Sequence, residues 1–556
     1  FIASGVNVTA VKKPPKKAWA ILTFLDVESR DAGLEKVNAM TFKDMKMKAF
    51  VHDPDRNVKA NITGQKRSAH ESVDASSQRE PKDVRDVTTP LHMMDYSAQL
   101  EMKQKSMEES FLEKTCVGVR KSYQRRIKEL KRQCSHLDLP DGQIHPSIAR
   151  AKMPDWIQHQ FNKKSVVKEE KTTLALDQIR PSPVEVEYRN RCDFTIGEVN
   201  GKACVGFCVG REKEGSVTVA SVENCSNVPQ IMKDLAVDFE TFLEASPLRP
   251  YDHYKRTGVW RNLTIRWSAC RSQLMLVVVC TTEGCTPQVF EPEKARLLET
   301  IRARGDIASL YLQIYDGISA PAPDDPVELL LGAPHITEEL MGLQFQIAPG
   351  AFFQTNTRAA EVLYRTVIEL ADADAATTIL DICSGTGTIG IACAHESLAT
   401  KVIGIEMNNA ATECARTNAA ANGISNATFI CERAELALGD LLNQTRASQT
   451  DKSTVVISPE TKSVVAIVDP PRSGLHRACV TAIRNCPLIN KLVYVSCNPT
   501  GSLVADLVVF CGPMSKTLTG PPFRPTRAIP VDLFPSTSHC EMVVALERDV
   551  TGDVAV

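Results

Sequence analysis

A chain of 556 residues that is 43% hydrophobic and 24% charged has the ordinary globular mixture, at a length typical of about three domains. Its formal net charge of −2 excludes nucleic-acid binding through bulk charge, so any such contact rests on local basic patches. No apolar run reaches about 18 residues, which excludes a helical membrane span. The eighteen cysteines lack paired spacing and no signal peptide is in view, a pattern that fits a reduced, intracellular protein, cytosolic and in part nuclear. Because the chain begins at Phe1 rather than Met, it is read as a fragment, and a lost leader, including a mitochondrial one, is left open.

Residues 1–53 predict a small domain. Val6–Val11 and Trp19–Phe24 read as strands around Lys12-Lys13-Pro14-Pro15-Lys16-Lys17, Ser29–Met40 as a helix and Lys46–Val51 as a further strand. The row Lys17-Ala18-Trp19-Ala20-Ile21-Leu22-Thr23-Phe24 resembles the third-strand motif of RNA-recognition domains, with Ile21 at one aromatic position. Rings on such a strand stack bases, which makes Trp19 and Phe24 candidate RNA contacts. An ordinary sheet is the alternative, and Ile21 leaves protein contacts open as the module's role. The first strand of such a domain would precede Phe1, so the domain is partial.

Residues 54–180 predict a linker and a charged helical segment. Positions 54–90 are polar with few large apolar residues. Tyr96–Lys131 is rich in helix formers and carries Arg120-Lys121-Ser122-Tyr123-Gln124-Arg125-Arg126. Such a run is either a helix lying against RNA phosphates or a solvated face. Pro140, Pro146 and Pro154 then interrupt any long helix.

Residues 181–345 predict a β-rich α+β domain that binds RNA. Cys192–Gly197, Ala203–Val209, Ser216–Ser221, Leu263–Ser268 and Gln273–Val279 read as strands, separated by turn signals such as Asn200-Gly201. Tyr188-Arg189-Asn190-Arg191 opens the first strand, where Arg189 and Asn190 are suited to phosphate or a uracil edge. A capped strand start with surface arginines is the alternative. Cys192, Cys204, Cys208 and Cys225 lack the spacing of a metal site and read as core cysteines.

Residues 346–556 predict a doubly wound α/β domain. Phe352-Phe353-Gln354 and Asn356 lead into a helix over Thr357–Ala371. Thr377–Cys383 is a strand, followed by Ser384-Gly385-Thr386-Gly387-Thr388-Ile389-Gly390 at a helix start. Glycines there permit a tight turn and a close ligand approach. The next strand, Lys401–Ile405, ends at Glu406, placed to hold ribose hydroxyls. These features suit a nicotinamide dinucleotide and S-adenosylmethionine equally. Asp381 before the glycines, and a later strand ending in Asp-Pro-Pro, favour the latter.

That later strand, Val464–Val468, stops at Asp469-Pro470-Pro471-Arg472. A helix-length segment leads to the strand Lys491–Val495, which stops at Ser496-Cys497-Asn498-Pro499. A strand–helix–strand unit has parallel strands, so both polar turns fall at the carboxyl edge where ligands of open sheets sit. The last strand, Met542–Leu546, follows His539-Cys540-Glu541.

Asp469-Pro470-Pro471-Arg472-Ser473-Gly474 followed by Leu492–Pro499 resembles the RNA uracil-C5-methyltransferase family. Phe353-Gln354 with Asn356, the Asp381–Gly390 loop and His539-Cys540-Glu541 occur in the family's order, so the resemblance covers about residues 340–548. Tyr188-Arg189-Asn190-Arg191 and the N-terminal module extend it toward the animal tRNA uracil-5-methyltransferases that carry such a module. Cys383-Ser384-Gly385 replaces the family's more usual Cys-Gly run, no aromatic sits beside the adenine, and the cysteine cluster that holds iron–sulfur in some bacterial relatives is not seen.

The resemblance implies a seven-stranded Rossmann-like methyltransferase domain. It implies S-adenosylmethionine as cofactor, held by Gln354, Cys383, Gly385, Thr388 and Glu406, with Asp469 on the cofactor's methionine moiety or on the uracil imide edge, and tRNA as partner, with the T-loop uridine at position 54 as target. It makes Cys497 the nucleophile on uracil C6 and Glu541 the base for the C5 proton. A thiolate on C6 turns C5 into a carbon nucleophile, and a base must then free C5 of its proton so that sulfur can leave. Free cysteine has a pKa of about 8.5, so Arg472 is expected to favour the thiolate, and burial to strengthen Glu541 as a base. No metal is expected. Ribosomal or mitochondrial RNA as substrate, and an idle RNA chaperone, are the alternatives; Cys497 in its Ser-Cys-Asn-Pro setting speaks against a nicotinamide enzyme.

Overall fold

The structure is a computed structural model of the chain. It describes residues 10–12, 21–23, 27–39, 41–42, 45–46, 83–135, 145–157, 174–209, 218–252, 255–317, 321–322, 325–444, 457 and 461–548. These fall into two compact units, residues 1–80 with 210–216, and residues 81–209 with 217–556.

In the first unit Ala10–Lys12 pairs antiparallel with Ile21–Thr23, the helix Val27–Ala39 follows, and Thr41–Phe42 pairs with Met45–Lys46. The expected helix is present. Trp19 and Phe24 lie outside the described residues.

The second unit is built on an eight-stranded sheet. Its order is Ala427–Cys431, Lys401–Glu406, Thr377–Ile382, Ser463–Val468, Ile489–Ser496, Glu541–Arg548, Phe523–Val531 and Ala175–Leu176. The first five strands are parallel, and Glu541–Arg548 is antiparallel to both its neighbours. Seven strands come from the stretch expected to supply them. The eighth, Ala175–Leu176, comes from the charged segment and pairs parallel with Phe523–Val531, so the expectation of seven is corrected to eight.

Alternation explains why these strands read as unbroken apolar runs. Leu380, Ile382, Ile403, Ile405, Val464 and Ala466 face one core, while Ile379, Val402, Val465 and Ile467 face another. A sheet covered on both faces needs apolar residues at both parities. The helices Thr357–Ala371, Thr388–Glu396 and Asn409–Ala421 cover one face. Arg477–Asn485, Ser502–Phe510 and Glu113–Cys134 contribute to the other.

The last of these belongs to the segment read as a linker and charged helix. Its Cys116, Val119, Tyr123 and Leu130 are buried because their spacing puts them on one helical face. The charges occupy the rest of the circumference, so a helix that is polar on average still packs against Ser502–Phe510. Close contact there needs a glycine: a Cβ on Gly118 would stand 2.5 Å from Val508 Cγ2.

The α+β domain carries a seven-stranded sheet, Glu328–Gly332, Ile307–Ile314, Gln273–Cys280, Trp260–Ser268, Arg191–Val199, Lys202–Cys208 and Val219–Ser221. Gln230–Glu244 and Pro287–Arg304 pack on one face, where Cys192 and Cys225 are core residues. Met275, Val277 and Tyr311 join the core of the helix Thr357–Ala371, so the two domains share packed surface. Arg266 crosses the same boundary: it is buried and donates to the carbonyl of Ala351, at the entrance to Phe352-Phe353-Gln354.

Candidate active site

The sheet register decides which side chains meet. Val468 pairs with Tyr494 across the parallel ladder, so Asp469 and the Ser496-Cys497 turn leave neighbouring strands at one edge. Ser496 pairs with Met542 across the antiparallel ladder, which sets Cys497 beside Glu541. Because its strand runs the other way, Glu541 stands at a strand start and still shares the edge where the parallel strands end.

The two motif turns are tied together. Asn498 Nδ2 donates to the carbonyl of Arg472 at 3.2 Å, and its backbone N–H donates to Ser496 Oγ at 3.1 Å. Asp506 Oδ2 accepts from Tyr494 Oη at 2.6 Å and from the backbone N–H of Leu475 at 3.0 Å. Gly474 turns with φ +82°, and a Cβ there would meet Asp506 Oδ2 at 2.9 Å. Asp506 has no motif around it to mark it in the sequence, and Asn498 stands in a motif that does not by itself give it this role.

Electrostatics set the resting protonation. Burial, then the charge of Asp469, push Glu541 up to about 8, against a smaller opposing pull from Arg472. Asp469 rises to about 6 through burial. Burial, then Glu541 and Asp469, push the Cys497 thiol up to about 11. Arg472 does favour the thiolate, as expected, but desolvation and two nearby carboxylates outweigh it. The thiol is therefore neutral at rest, and Glu541 is a far stronger base than an exposed glutamate.

Glu541 is held from behind. Lys103, on the helix Tyr96–Ser106, donates from Nζ to Asp532 Oδ1 at 2.7 Å and to the carbonyl of Phe534 at 3.1 Å. Gln99 Oε1 accepts from the Ser536 N–H at 2.7 Å, and Tyr188 Oη donates to the carbonyl of Pro535 at 3.1 Å. Side chains from far upstream thus fix the turn that delivers Glu541. Nothing local in the sequence marks Lys103 or Asp532 for this.

The glycine loop lies at the same edge. Cys383 has φ +66°, Gly385 +54° and Gly387 +80°. Glu406 Oε2 accepts from the N–H of Gly385 at 3.0 Å, and its Oε1 accepts from the N–H of Asn408 at 2.9 Å. Asp381 Oδ2 accepts from the N–H of Gly390 at 2.9 Å, while Oδ1 is buried without a partner among the described residues, and its carboxyl is pushed up to about 7 chiefly by burial. Thr388 Oγ1 lies 2.9 Å from Tyr364 Oη. The Cys383 thiol packs toward the core, so what it offers at the loop is its backbone. A Cβ at Gly385 would meet nothing within 4 Å. An open backbone turn with an anchored acid beside it, and the orphaned Asp381 and Ser384 oxygens behind it, fit a nucleoside-bearing cofactor.

Gln354 is buried, and its carbonyl accepts from Asn190 Nδ2 at 2.7 Å; the same amide donates to Thr357 Oγ1 at 2.8 Å. Asn356 caps the following helix through Ala359 N at 3.1 Å and reaches the Leu533 carbonyl at 3.0 Å. Asn190, expected to face RNA, is turned inward because the first strand of the α+β domain docks on this helix start. Arg189 Nε donates to the carbonyl of Arg191 at 3.2 Å. A cavity of about 730 Å³ lies elsewhere in the α+β domain, lined by Arg249, Tyr251, Lys255 and Glu283, and includes none of these residues.

Comparison with known proteins places the chain among its relatives. Residues 334–549 match the model of the family described as tRNA (Uracil-5-)-methyltransferase. The chain is 33% identical over 551 residues to "tRNA (uracil-5-)-methyltransferase homolog A" of Mus musculus, covering 98% of this chain and 80% of that protein. It is 34% identical over 471 residues to "tRNA (uracil-5-)-methyltransferase homolog B" of Homo sapiens, covering 83% of each. Its fold is similar to the crystal structure of Pyrococcus abyssi tRNA (uracil-54, C5)-methyltransferase in complex with S-adenosyl-L-homocysteine. There the TM-score is 0.51 and the identity 23%, over 82% of this chain and 84% of that one. With a third of its residues shared over nearly its whole length, the chain belongs to the tRNA (uracil-5-)-methyltransferase family.

Proposed function

We propose that the protein methylates C5 of uridine in tRNA, at the T-loop uridine of position 54, through a covalent adduct of Cys497 with C6. The observation that carries the reading is the convergence of a half-buried cysteine, a half-buried aspartate and a buried glutamate at three adjacent strand ends. S-adenosylmethionine, bound at the glycine loop, supplies an electrophilic methyl group.

Gln354, the backbone from Cys383 to Thr388, Glu406 and Asp469 would hold the cofactor, with Glu406 on the ribose. Cys497 gives its proton to solvent as its sulfur bonds to C6, and the C5–C6 π electrons move onto the C4 carbonyl as an enolate, which makes C5 nucleophilic. Asp469 accepts an N–H where the base and the methyl donor meet. After methylation Glu541 takes the C5 proton, the C6–sulfur bond breaks, and the thiolate leaves. A base with a pKa near 8 suits this step, since its strength lies close to the working pH. The target uridine must leave its stack for the thiol to approach C6 face-on.

Arg189 is proposed to meet RNA at the domain junction. Asn190 serves RNA binding indirectly, by fixing that junction through Gln354 and Thr357. Trp19 and Phe24 are proposed to stack bases in a module like an RNA-recognition domain.

The test is incubation of tRNA transcripts with labelled S-adenosylmethionine and mapping of the modified base. Glu541→Gln should trap an RNA–protein adduct stable to denaturation, and Cys497→Ala should form none. Turnover by Cys497→Ala would remove the nucleophile assignment. No 5-methyluridine from the wild-type protein on any tRNA would remove the reading.

A further inference from the structure

The helix Glu113–Cys134 has a face that the active site does not use. Lys114, Lys121, Arg125, Lys128 and Arg132 are all exposed. Their spacings of 7, 4, 3 and 4 keep them within about 40° of one line along the helix, at 100° per residue. Cys116, Val119, Tyr123 and Leu130 define the opposite, buried side. The cationic line is therefore as far from the core as this helix allows.

A charged helix face is ordinarily a solvated one, with acids and bases interspersed. Here the sign is segregated. None of the five cations has an ion pair among the described residues, whereas Arg126, off the line, is paired with Glu129 at 3.0 Å. At 1.5 Å per residue the line extends about 27 Å, long enough to meet several phosphates in succession. This stands out in a chain whose formal net charge is −2.

The helix is also connected to the chemistry. Tyr96–Ser106, the π-helical Met107–Leu112 and Glu113–Cys134 follow one another without a break. Lys103, on the first of these, holds the turn that delivers Glu541. Eleven residues later the cationic line begins. Its cations thus lie along a rigid element that starts beside the reacting centre, roughly 16 to 44 Å along the helix from Lys103.

From this we infer that the Lys114–Arg132 face is a second RNA-docking surface, gripping the sugar–phosphate backbone of a stem outside the loop that enters the active site. It reads charge and shape, not sequence. The inference rests on RNA as the substrate. It adds that recognition reaches beyond the target loop, so a full tRNA binds more tightly than its isolated hairpin.

The experiment uses the full chain with Lys121, Arg125, Lys128 and Arg132 all changed to Gln. Binding and methylation are measured on a full-length tRNA transcript and on a hairpin holding only the target loop and its short stem. For full-length tRNA, Kd and KM should rise at least about tenfold at physiological salt, and the slope of log Kd on log salt should flatten by about 3, near one unit per lost phosphate contact. Hairpin binding, kcat and cofactor affinity should not change. Arg125→Lys with Arg132→Lys, which keeps the charge, should bind full-length tRNA as the wild type does.

An unchanged Kd and salt slope on full-length tRNA would overturn the inference. So would an equal loss on both RNAs, which would place the contact at the loop. Loss of binding to phosphatidylserine vesicles with tRNA binding intact would assign the face to a membrane surface and also overturn it. If the wild-type protein methylates neither RNA, the proposed reaction fails, while the binding comparison still decides the surface.

Discussion

Lys103 Nζ meets Asp532 Oδ1 at 2.7 Å with both side chains buried, joining residues 429 positions apart. Removing one partner strands the other charge in the core. Lys103→Met should cost about 3–5 kcal/mol in urea denaturation, and Lys103→Met with Asp532→Leu should recover most of it. Where the single variant folds, loosening of the turn before Glu541 should slow proton removal, so the covalent RNA adduct should accumulate on denaturing gels. Full stability in Lys103→Met would deny the ion pair its structural role.

The raised Glu541 carboxyl predicts a pH profile. The base must be ionised to take the C5 proton after methyl transfer, so with that step limiting, log kcat for methylation should climb with pH through neutrality and level off only above about 8. A profile already flat from pH 6 would show that Glu541 is not the titrating group.

Stability should respond in the opposite sense. Glu541 holds its proton to about 8 in the folded protein against an ordinary value of 4.5. Between these values the folded state binds more protons than the unfolded one, so this group's contribution to stability falls as pH rises. Glu541→Gln should raise the melting temperature more at pH 8.5 than at pH 5. An equal gain at both would contradict the buried, titrating carboxyl.

Alkylation of Cys497 by iodoacetamide reports the field around the thiol. Arg472→Gln should slow it, since that guanidinium is the cation favouring the thiolate. Glu541→Gln should speed it at pH 9, where the wild-type glutamate is charged, and change it little at pH 6.5. A faster Arg472→Gln would reverse the assigned sign.

Two glycines of the cofactor loop should behave differently. Gly387 has φ +80°, and a Cβ there would lie 2.8 Å from Ala415 Cβ and 2.9 Å from the Phe429 ring. Gly387→Ala should cost about 1–3 kcal/mol by denaturation. Gly385 has φ +54° with open space beyond it, so Gly385→Ala should cost only about 1 kcal/mol of strain. It should instead weaken S-adenosylhomocysteine binding measured by calorimetry. Equal effects of both on stability would mean that the space at Gly385 is not a ligand's.

The sequence alone determined the parts whose evidence is local. Apolar runs ending in Asp469-Pro470-Pro471-Arg472 and Ser496-Cys497-Asn498-Pro499, with a helix length between them, require parallel strands and one shared edge. Asn356 before Thr357–Ala371 and the glycines before Thr388 mark helix starts by the same short-range logic. Only the tertiary structure decided that Glu541 enters this edge from an antiparallel strand, that Ala175–Leu176 adds an eighth strand, and that a helix with a polar average buries Cys116, Val119 and Tyr123. It also reversed the expected balance at Cys497, since desolvation depends on everything packed around the thiol. Hydrogen-bonding period and turn chemistry act over a few residues and are written in the chain. Burial, charge pairing across hundreds of positions and the pKa values that follow from them are properties of neighbours that only folding brings together.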